Sequence, residues 1–438
     1  MTAKPAARNR KPRVQDTIKI RMYNVGFGDC FLLRIPGPDG ERKVLFDCGT
    51  ISGVGAHPID KIVKQVIADV TDEDKVPRID VVVGTHRHKD HVSGFGRADW
   101  ARVEVREVWM PWTEDPKDPE ARRIRETQSR LAAALEFAYR SHMQAASEAE
   151  RGRLAGYQEL ALNALTNESA MRTLHDGFAK APRRRFLPCP QPDQASFETD
   201  ALPRVRIHVL GPSRDKDAIR DMDPPAGQSY LQSLDQMADG SVNPPPAPFR
   251  PDWWVSPAEY ESTTMYAHLM LEHADRITMK NFELEMDQAV ATSLDKAVNG
   301  TSLMLMLQIG DNNLLFPGDA QWGTWQAALR NPDWQVLLKE TTFYKIGHHG
   351  SHNATPIDYI EKTLETKADG FWTMVSTGAV AKWPQIPRQP LLDAISLRTK
   401  KLTRSDKLPE VGEGATADET GLYADIEIPV HHPRNDTA

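Results

Sequence analysis

The chain has 438 residues, a net charge of −7, 40% hydrophobic residues and 26% charged residues. Its mean hydropathy is −0.52, and no apolar run approaches the roughly 20 residues that span a bilayer. This composition predicts a soluble protein without a membrane span. The acidic balance excludes a uniformly basic nucleic-acid binder, so any nucleic-acid contact needs a local basic patch. Cys30, Cys48 and Cys189 form no CxxC pair and cannot all pair, which favours a reducing, cytoplasmic location.

The N-terminus is a basic tail. Residues 1–16 contain five lysines and arginines, two prolines and no acid before Asp16. This composition predicts a disordered, solvated arm, or alternatively an arm that binds phosphate. Residues 17–438 are predicted to form one domain, with helical insertions at about 113–200 and 211–298.

Alternating apolar residues predict three strands between Thr17 and Gly49. Asp29 follows a glycine-rich turn and Asp47 follows the third strand, so both lie at a sheet edge. Turn chemistry explains either aspartate taken alone. Beside a metal site, the same two carboxylates are predicted to orient the ligands. An amphipathic helix is predicted from His57 to Val70.

The densest group of chemically active residues follows the apolar run Ile79–Val83. Three histidines and an aspartate, His86, His88, Asp90 and His91, occupy six residues after a predicted buried strand. Imidazole and carboxylate groups suit zinc, manganese or iron. We expect His86 and His88 to point to one position and Asp90 and His91 to a neighbouring one, which is the pattern of a two-metal site.

Two later segments repeat this placement of polar residues after an apolar strand. Asp319 follows Leu314–Phe316, and the pair His348–His349 follows Phe343–Ile346. Either segment alone fits a turn or cap. With the first motif, Asp319 is predicted to bridge two cations about 3.5 to 4 Å apart. The sequence does not decide which of His348 and His349 is the ligand.

In this order, the segments NVGFGDC, FDCG, THRHKDH, PGDA and GHHGS resemble the metallo-β-lactamase superfamily. More narrowly, they are similar to the metallo-β-lactamase domain of ComEC-type DNA-uptake proteins. The resemblance implies an α+β fold, a four-layer αββα sandwich with a largely helical insertion. It also implies two divalent ions, zinc or manganese, whose ligands are His86, His88, Asp90, His91, Asp319 and His348.

The sequence departs from the general superfamily pattern at one ligand position. Most members have a histidine before the strand that leads to the GD motif, where this chain has Asn299. The ComEC-like branch is similar in having Asn and Ser there. Asn299 and Ser351 are therefore candidates for a weak metal ligand or a substrate contact. Such a site would bind its first ion more weakly and favour a harder ion such as manganese.

The insertions contain the remaining candidates. Glu120 to Phe186 is predicted to be a helical hairpin over the core, with a surface for a protein partner, and Arg183–Arg185 a solvated turn or phosphate contact. In the second insertion, His268 and His273 are alternatives for the missing ligand. The pair Trp253–Trp254 is predicted to be a packing anchor.

The end of the chain is predicted to complete the core. Val205–Leu210 is predicted to be a strand whose His208 is a satisfied structural residue. Pro387–Thr399 is predicted to be a final helix, residues 400–420 a charged loop, and Tyr423–Val430 an edge strand.

The predicted function is two-metal hydrolysis of a phosphodiester, with nucleic acid or a nucleotide as substrate. Asp90 and His349 are predicted to act in catalysis, Asp90 by orienting the attacking hydroxide. One alternative is hydrolysis of a carbonyl ester, lactone or thioester. Another is a metal-stabilised binding component of a larger complex, with little turnover.

Overall fold

The computed structural model describes residues 16–51, 57–145, 167–189, 195–215 and 294–431, except 354 and 381–382. It also describes residue 151 and short stretches between 218 and 229. Residues 1–15 of the predicted tail lie outside this part, as do His268, His273 and the pair Trp253–Trp254. Predictions for them stay predictions.

The first sheet has eight strands and contains the N-terminal part of the chain together with its last strands. Their spatial order is β14-β15-β1-β2-β3-β4-β5-β6. The strands β3 to β6 are parallel to one another, and the other neighbours are antiparallel. The bounds are β1 Thr17–Tyr23, β2 Phe31–Gly37, β3 Gly40–Phe46, β4 Arg78–Val83, β5 Glu104–Pro111, β6 Arg183–Leu187, β14 Ala415–Ala417 and β15 Tyr423–Pro429.

The second sheet has seven strands in the order β13-β12-β11-β10-β9-β8-β7. The neighbours from β7 to β10 are antiparallel, and those from β10 to β13 are parallel. The bounds are β7 Ser196–Thr199, β8 Leu202–Gly211, β9 Met304–Ile309, β10 Asn312–Phe316, β11 Thr341–Lys345, β12 Trp372–Val375 and β13 Leu402–Arg404. The molecule is thus a mixed α/β protein with two mixed sheets.

The α-helices connect the strands. Their bounds are α1 Ile59–Asp69, α2 Lys89–Val92, α3 Pro119–Ala145, α4 Glu168–Asp176, α5 Trp322–Arg330, α6 Pro332–Lys339 and α7 Gln389–Arg398, and residues 294–299 are also helical. No helix among the described residues is long and apolar enough to cross a membrane.

Apolar residues of both sheets share one core. Ile20 and Phe46 of the first sheet belong to the same buried cluster as Leu305 and Phe316 of the second. The rings of Phe46 and Phe316 stack with centroids 4.1 Å apart. Fully burying each such side chain contributes roughly 1.5–3 kcal/mol, so this core holds the two sheets face to face.

Each sheet also packs against helices on its other side. A second cluster joins the first sheet to Ile62 of α1 and Leu174 of α4. A third joins the second sheet to Trp325 of α5, Leu338 of α6 and Leu391 of α7. The amphipathic pattern that predicted α1 has this physical basis, because its apolar side covers the sheet.

Three predictions about local structure were wrong. Arg183–Leu187 is a strand that pairs with β5, not the end of a helical hairpin, because Arg185 bonds Glu107 of that strand at 2.7 Å and pairing overrides local propensity. The predicted loop 400–420 contains β13 and β14. Since β14 pairs with β15, Tyr423–Pro429 is not the edge strand.

Several other local predictions agree with the structure. The predicted strands around β4, β8, β10, β11 and β15 and the helices α1 and α7 are present. His208 is satisfied as expected, with its Nδ1 2.7 Å from Ser196 Oγ.

Candidate metal centre

The candidate centre lies where strands of both sheets end. α2, directly after β4, provides Asp90 and His91, and the turn after β10 provides Asp319. The short helical turn after β11 provides His348 and His349. Since β10 and β11 are parallel, their carboxyl ends lie side by side. Residues distant in sequence are therefore brought together as the motifs predicted.

Four of these residues form one compact group. Asp90, His91, Asp319 and His349 each offer one ligand atom, and these atoms all lie within 4.8 Å of one another. His91 Nε2 is 3.1 Å from Asp319 Oδ2. His349 Nε2 is 3.2 Å from Asp90 Oδ2. All four side chains are buried, so their ligand atoms face one another instead of water.

The two histidines of this group are fixed through their other ring nitrogen. His91 Nδ1 donates to Asp47 Oδ2 at 2.8 Å, and His349 Nδ1 donates to the Ser376 carbonyl oxygen at 2.9 Å. A histidine that donates through Nδ1 presents Nε2 to a cation. These contacts set the tautomer and ring direction that a metal ligand requires.

Asp47 contacts the ring of His91, where the sequence predicted a carboxylate that orients a ligand. Its carboxylate accepts hydrogen bonds from Thr85 N at 2.8 Å and Thr85 Oγ1 at 2.7 Å, besides the bond from His91. Asp29 is also close, with Oδ2 3.6 Å from His91 Nδ1, and it forms a buried ion pair with Lys345. One ligand atom each of Asp29, Asp47 and His91 also lie within 4.8 Å of one another, so these residues are a second candidate group for a metal ion. The hydrogen bonds of Asp47 to Thr85 and His91 favour an orienting role instead.

His86 and His88 form a second, looser part of the centre. His86 Nε2 lies 3.2 Å from His88 Nδ1. The Thr85 hydroxyl donates to Asp47, so it accepts from His86 Nδ1 at 3.2 Å. His86 Nε2 and His88 Nδ1 therefore face the same point, as the alternation of the strand end predicted.

Sequence reasoning missed Asp295, which faces this second part. Its Oδ1 lies 3.7 Å from His88 Nε2, the ring nitrogen that faces away from His86. Asp295 lies in the helical stretch 294–299 that also provides Asn299. Its spacing of four residues from Asn299 was a usable signal, because residues i and i+4 lie on one face of a helix.

His348 lies at the margin of the group. Its Nε2 is 3.8 Å from Asp319 Oδ2 and 3.4 Å from Asn299 Nδ2. Its Nδ1 donates to Ser351 Oγ at 2.9 Å, and Ser351 Oγ donates to Asn353 Oδ1 at 2.5 Å. The side chain of His348 is 19% exposed and can be reached from solvent, whereas that of His349 is fully buried.

Asn353 continues this chain of hydrogen bonds back to Asp319. Its Nδ2 donates to Gln321 Oε1 at 2.7 Å, and Gln321 Nε2 donates to the Asp319 carbonyl oxygen at 3.3 Å. Both residues were missed from the sequence, although each stands two positions after a motif residue. They connect the two turns that follow β10 and β11.

Strained backbone coincides with the centre. Asp47, His348 and His349 have positive φ angles of 54°, 44° and 53°, a region that non-glycine residues seldom occupy. Such strain costs of order 1–3 kcal/mol per residue and clusters at functional sites. At Gly49 a Cβ would lie 2.5 Å from the backbone of His91, so glycine lets the FDCG turn press against the histidine loop.

Charge is divided unevenly among the histidines. Burial opposes protonation of His91, but the carboxylates of Asp319 and Asp47 raise its pKa well above the ordinary value. Burial likewise opposes protonation of His349, whose pKa Asp90 and Asp29 raise. Burial and neighbouring histidines lower the pKa of His86 well below the ordinary value. For His86, burial and the neighbouring histidines outweigh the carboxylates of Asp319 and Asp90, which raise its pKa.

The carboxylates of Asp319 and Asp90 remain ionised despite burial. Burial raises the pKa of Asp319, but the nearby His91 and His348 lower it by more, so that it lies well below its ordinary value. The pKa of Asp90 is lowered in the same way by His91 and His349. An ionised, bridging carboxylate is the form that binds a cation.

The residues present fit divalent metal ions. Among the described residues, Asp90 Oδ1 and Asn299 Oδ1 are buried atoms without a hydrogen-bond partner. Buried polar atoms without partners are costly, and coordination or the binding of substrate would satisfy them. Nitrogen and oxygen donors in this number suit zinc or manganese.

Comparison of the chain with protein-family models found no match. Comparison with curated proteins found no similar protein. The assignment of a metal centre therefore depends on the geometry of the described residues.

Proposed function

We propose that the protein is a metal-dependent hydrolase of the metallo-β-lactamase fold that cleaves phosphodiester bonds. One observation carries this proposal: Asp90, His91, Asp319 and His349 converge from the ends of two sheets within 4.8 Å. The two face-to-face sheets, with helices packed on their other sides, are compatible with an αββα sandwich.

Two neighbouring positions can hold divalent ions. Asp90, His91, Asp319 and His349 would hold one ion, with His349 as the ligand of the histidine pair. His86 Nε2, His88 Nδ1 and the shared Asp319 would hold the other. When bound, such a pair of ions supplies Lewis acidity and an attacking hydroxide at neutral pH.

The remaining polar residues position groups around these ligands. His348 is kept in one orientation by Ser351, and its lowered pKa, caused by burial, keeps the imidazole neutral. Its partly exposed Nε2 can therefore contact the substrate, with Asn299 Nδ2 beside it at 3.4 Å. Asp47 keeps His91 aligned, and Asp90, whose Oδ1 has no described partner, can orient the attacking group.

The substrate class follows from the resemblance of the motifs to the ComEC-like branch. Hydrolysis of a carbonyl substrate and metal-stabilised binding without turnover are alternative outcomes of the same experiment. Purified protein is analysed for metal and incubated with single- and double-stranded DNA and RNA in the presence of manganese. We expect close to two ions per chain and metal-dependent cleavage.

Matched variants test whether any cleavage depends on this centre. Asp319→Ala and His349→Ala should abolish cleavage. The control Asp369→Ala changes an exposed aspartate that is not a candidate site residue and should retain cleavage. Metal-free protein whose stability is unchanged by chelator would refute the metal centre. Bound metal without cleavage of any nucleic acid would refute the phosphodiesterase, and turnover of a lactone or thioester would favour a carbonyl substrate.

A further inference from the structure

A large cavity lies beside the metal centre, outside the ligand group. Its volume is about 1310 Å³, and it lies between α3, α4 and the end of the histidine-bearing strand. The described residues that line it include six arginines, namely Arg87, Arg122, Arg125, Arg130, Arg172 and Arg184. The lining carboxylates are Glu126, Glu168 and Asp176. In a chain with a net charge of −7, this excess of arginine is a local feature.

One residue that lines the cavity, Arg87, also belongs to the histidine segment of the centre. This residue stands between the candidate ligands His86 and His88 in the chain. Its guanidinium donates two hydrogen bonds to Glu114, both at 3.0 Å, and its carbonyl oxygen accepts from Asn167 Nδ2 at 2.6 Å. The wall of the cavity therefore begins one residue away from the metal ligands.

The arginines fall into two groups. Arg87, Arg125 and Arg184 have partners in the protein: Glu114 for Arg87, the Thr113 carbonyl for Arg125, and Asp176 at 3.5 Å for Arg184. Arg122, Arg130 and Arg172 are exposed, and Arg130 Nε donates to the Glu126 carbonyl oxygen of its own helix at 3.3 Å. Within the part of the chain that the structure describes, none of these three forms an ion pair. The first group shapes the wall, and the second leaves its charges available to a ligand.

Guanidinium groups recognise phosphate because their forked donors match its oxygens. Three exposed guanidinium groups require an anion with several phosphates, not a single one. The volume also exceeds the roughly 300–1,000 Å³ that is typical of small-molecule sites. A ligand with repeated phosphates that extends from the centre satisfies both conditions.

We propose that this arginine-lined cavity binds the backbone phosphates of a nucleic-acid strand whose cleaved bond lies at the metal centre. This inference rests on the proposed function, since it identifies the substrate as a strand and not a free nucleotide. Arg122, Arg130 and Arg172 are binding residues, and they contact phosphates away from the reacting bond.

The test measures binding to the full-length protein without cleavage. A fluorescein-labelled single-stranded oligonucleotide of about 20 residues is titrated in EDTA, and anisotropy gives the affinity at several salt concentrations. The variant Arg122→Ala/Arg130→Ala/Arg172→Ala should bind about tenfold more weakly or worse. Its slope of log affinity against log salt should fall by about two, at ~0.7 per phosphate contact of a single strand.

A control variant removes the same charge elsewhere. Arg102→Ala/Arg206→Ala/Arg330→Ala changes three exposed arginines that do not line the cavity, and its affinity and salt slope should equal those of the wild type. Thermal unfolding of both variants checks that they fold. Equal affinity of the cavity variant and the control would overturn the inference.

Two further measurements distinguish a strand from a free nucleotide, and the cavity proposal from the proposed function. ATP that competes with the oligonucleotide at similar affinity would show that the cavity takes a free nucleotide, which contradicts a strand. Metal analysis distinguishes the two proposals. Wild-type protein without bound metal refutes the proposed function, whereas full metal content in both variants with unchanged oligonucleotide binding refutes only the cavity.

Discussion

The two parts of the candidate metal centre differ in how their histidines are held. His91 donates to the buried carboxylate of Asp47 at 2.8 Å, and His349 to a backbone carbonyl at 2.9 Å. In the other part, His88 Nε2 has no hydrogen-bond partner among the described residues. Asp295 Oδ1 lies 3.7 Å from it, beyond hydrogen-bond distance. A ligand already fixed in its bound orientation loses less freedom on coordination. We therefore expect the His91 part to bind its ion more tightly than the His86 part.

The largest expected effect comes from the residue that both parts share. Asp319→Ala removes the carboxylate that lies 3.1 Å from His91 Nε2 and should reduce bound metal from about two ions to nearly none. An ion present at a thousandfold excess over its Kd stabilises the fold by about 4 kcal/mol. The melting temperature with metal should fall accordingly, as measured by calorimetry and elemental analysis.

The control for Asp319→Ala is the same measurement in chelator. Without metal, the variant and the wild type should differ much less in melting temperature than they do with metal. Two ions retained by Asp319→Ala would show that the two parts do not share this ligand, and the comparison between them would lose its basis.

An intermediate effect is expected when the orienting carboxylates are replaced. Asp47→Asn removes the charge that aligns His91 and should weaken one ion by about 10- to 100-fold. Asp295→Asn should weaken the other ion by less than about tenfold, because Asp295 is farther from its histidine and partly exposed. Competition titration with a metal-sensitive dye gives both affinities. A larger effect of Asp295→Asn would reverse the proposed order of the two parts.

The smallest expected effect is a difference in protonation between His91 and His86 in the metal-free protein. Carboxylates raise the pKa of His91 despite burial, whereas burial lowers that of His86. At pH 7, His91 should be protonated and His86 neutral, which NMR of the imidazole nitrogens in chelator can measure. The stabilisation from His91 is fully present below the unfolded pKa of about 6.5 and is lost as pH rises through the raised folded value.

For His86 the sign is opposite. A lowered folded pKa means that protonation of the unfolded chain destabilises the fold as pH falls below about 6.5. The variants His86→Gln and His91→Gln identify the two signals. If the His86 and His91 rings titrated at the same pH, the predicted electrostatic difference between the two parts of the centre would be wrong.

Much of the fold was predictable because strand and helix patterns are local. The runs before His86, Asp319 and His348 are the strands β4, β10 and β11, and the amphipathic helix α1 has the predicted apolar face. Asp319 and His349 come together because the parallel strands β10 and β11 end at a common edge, and the face-to-face packing of the two sheets brings the residues after β4 to the same place. Arg183–Leu187 escaped prediction because its pairing with β5 depends on a distant neighbour.

The sequence by itself determined which residue types stand at strand ends, and hence predicted one centre from His86, His88, Asp90, His91 and Asp319. Only the tertiary structure places His349, and not His348, in the compact group of candidate ligands. The positive φ angles of both residues turn His349 Nε2 inward to Asp90 and leave His348 at the margin. The approach of Asp295 to His88 was likewise decided by packing across more than 200 residues of chain, which no local pattern encodes.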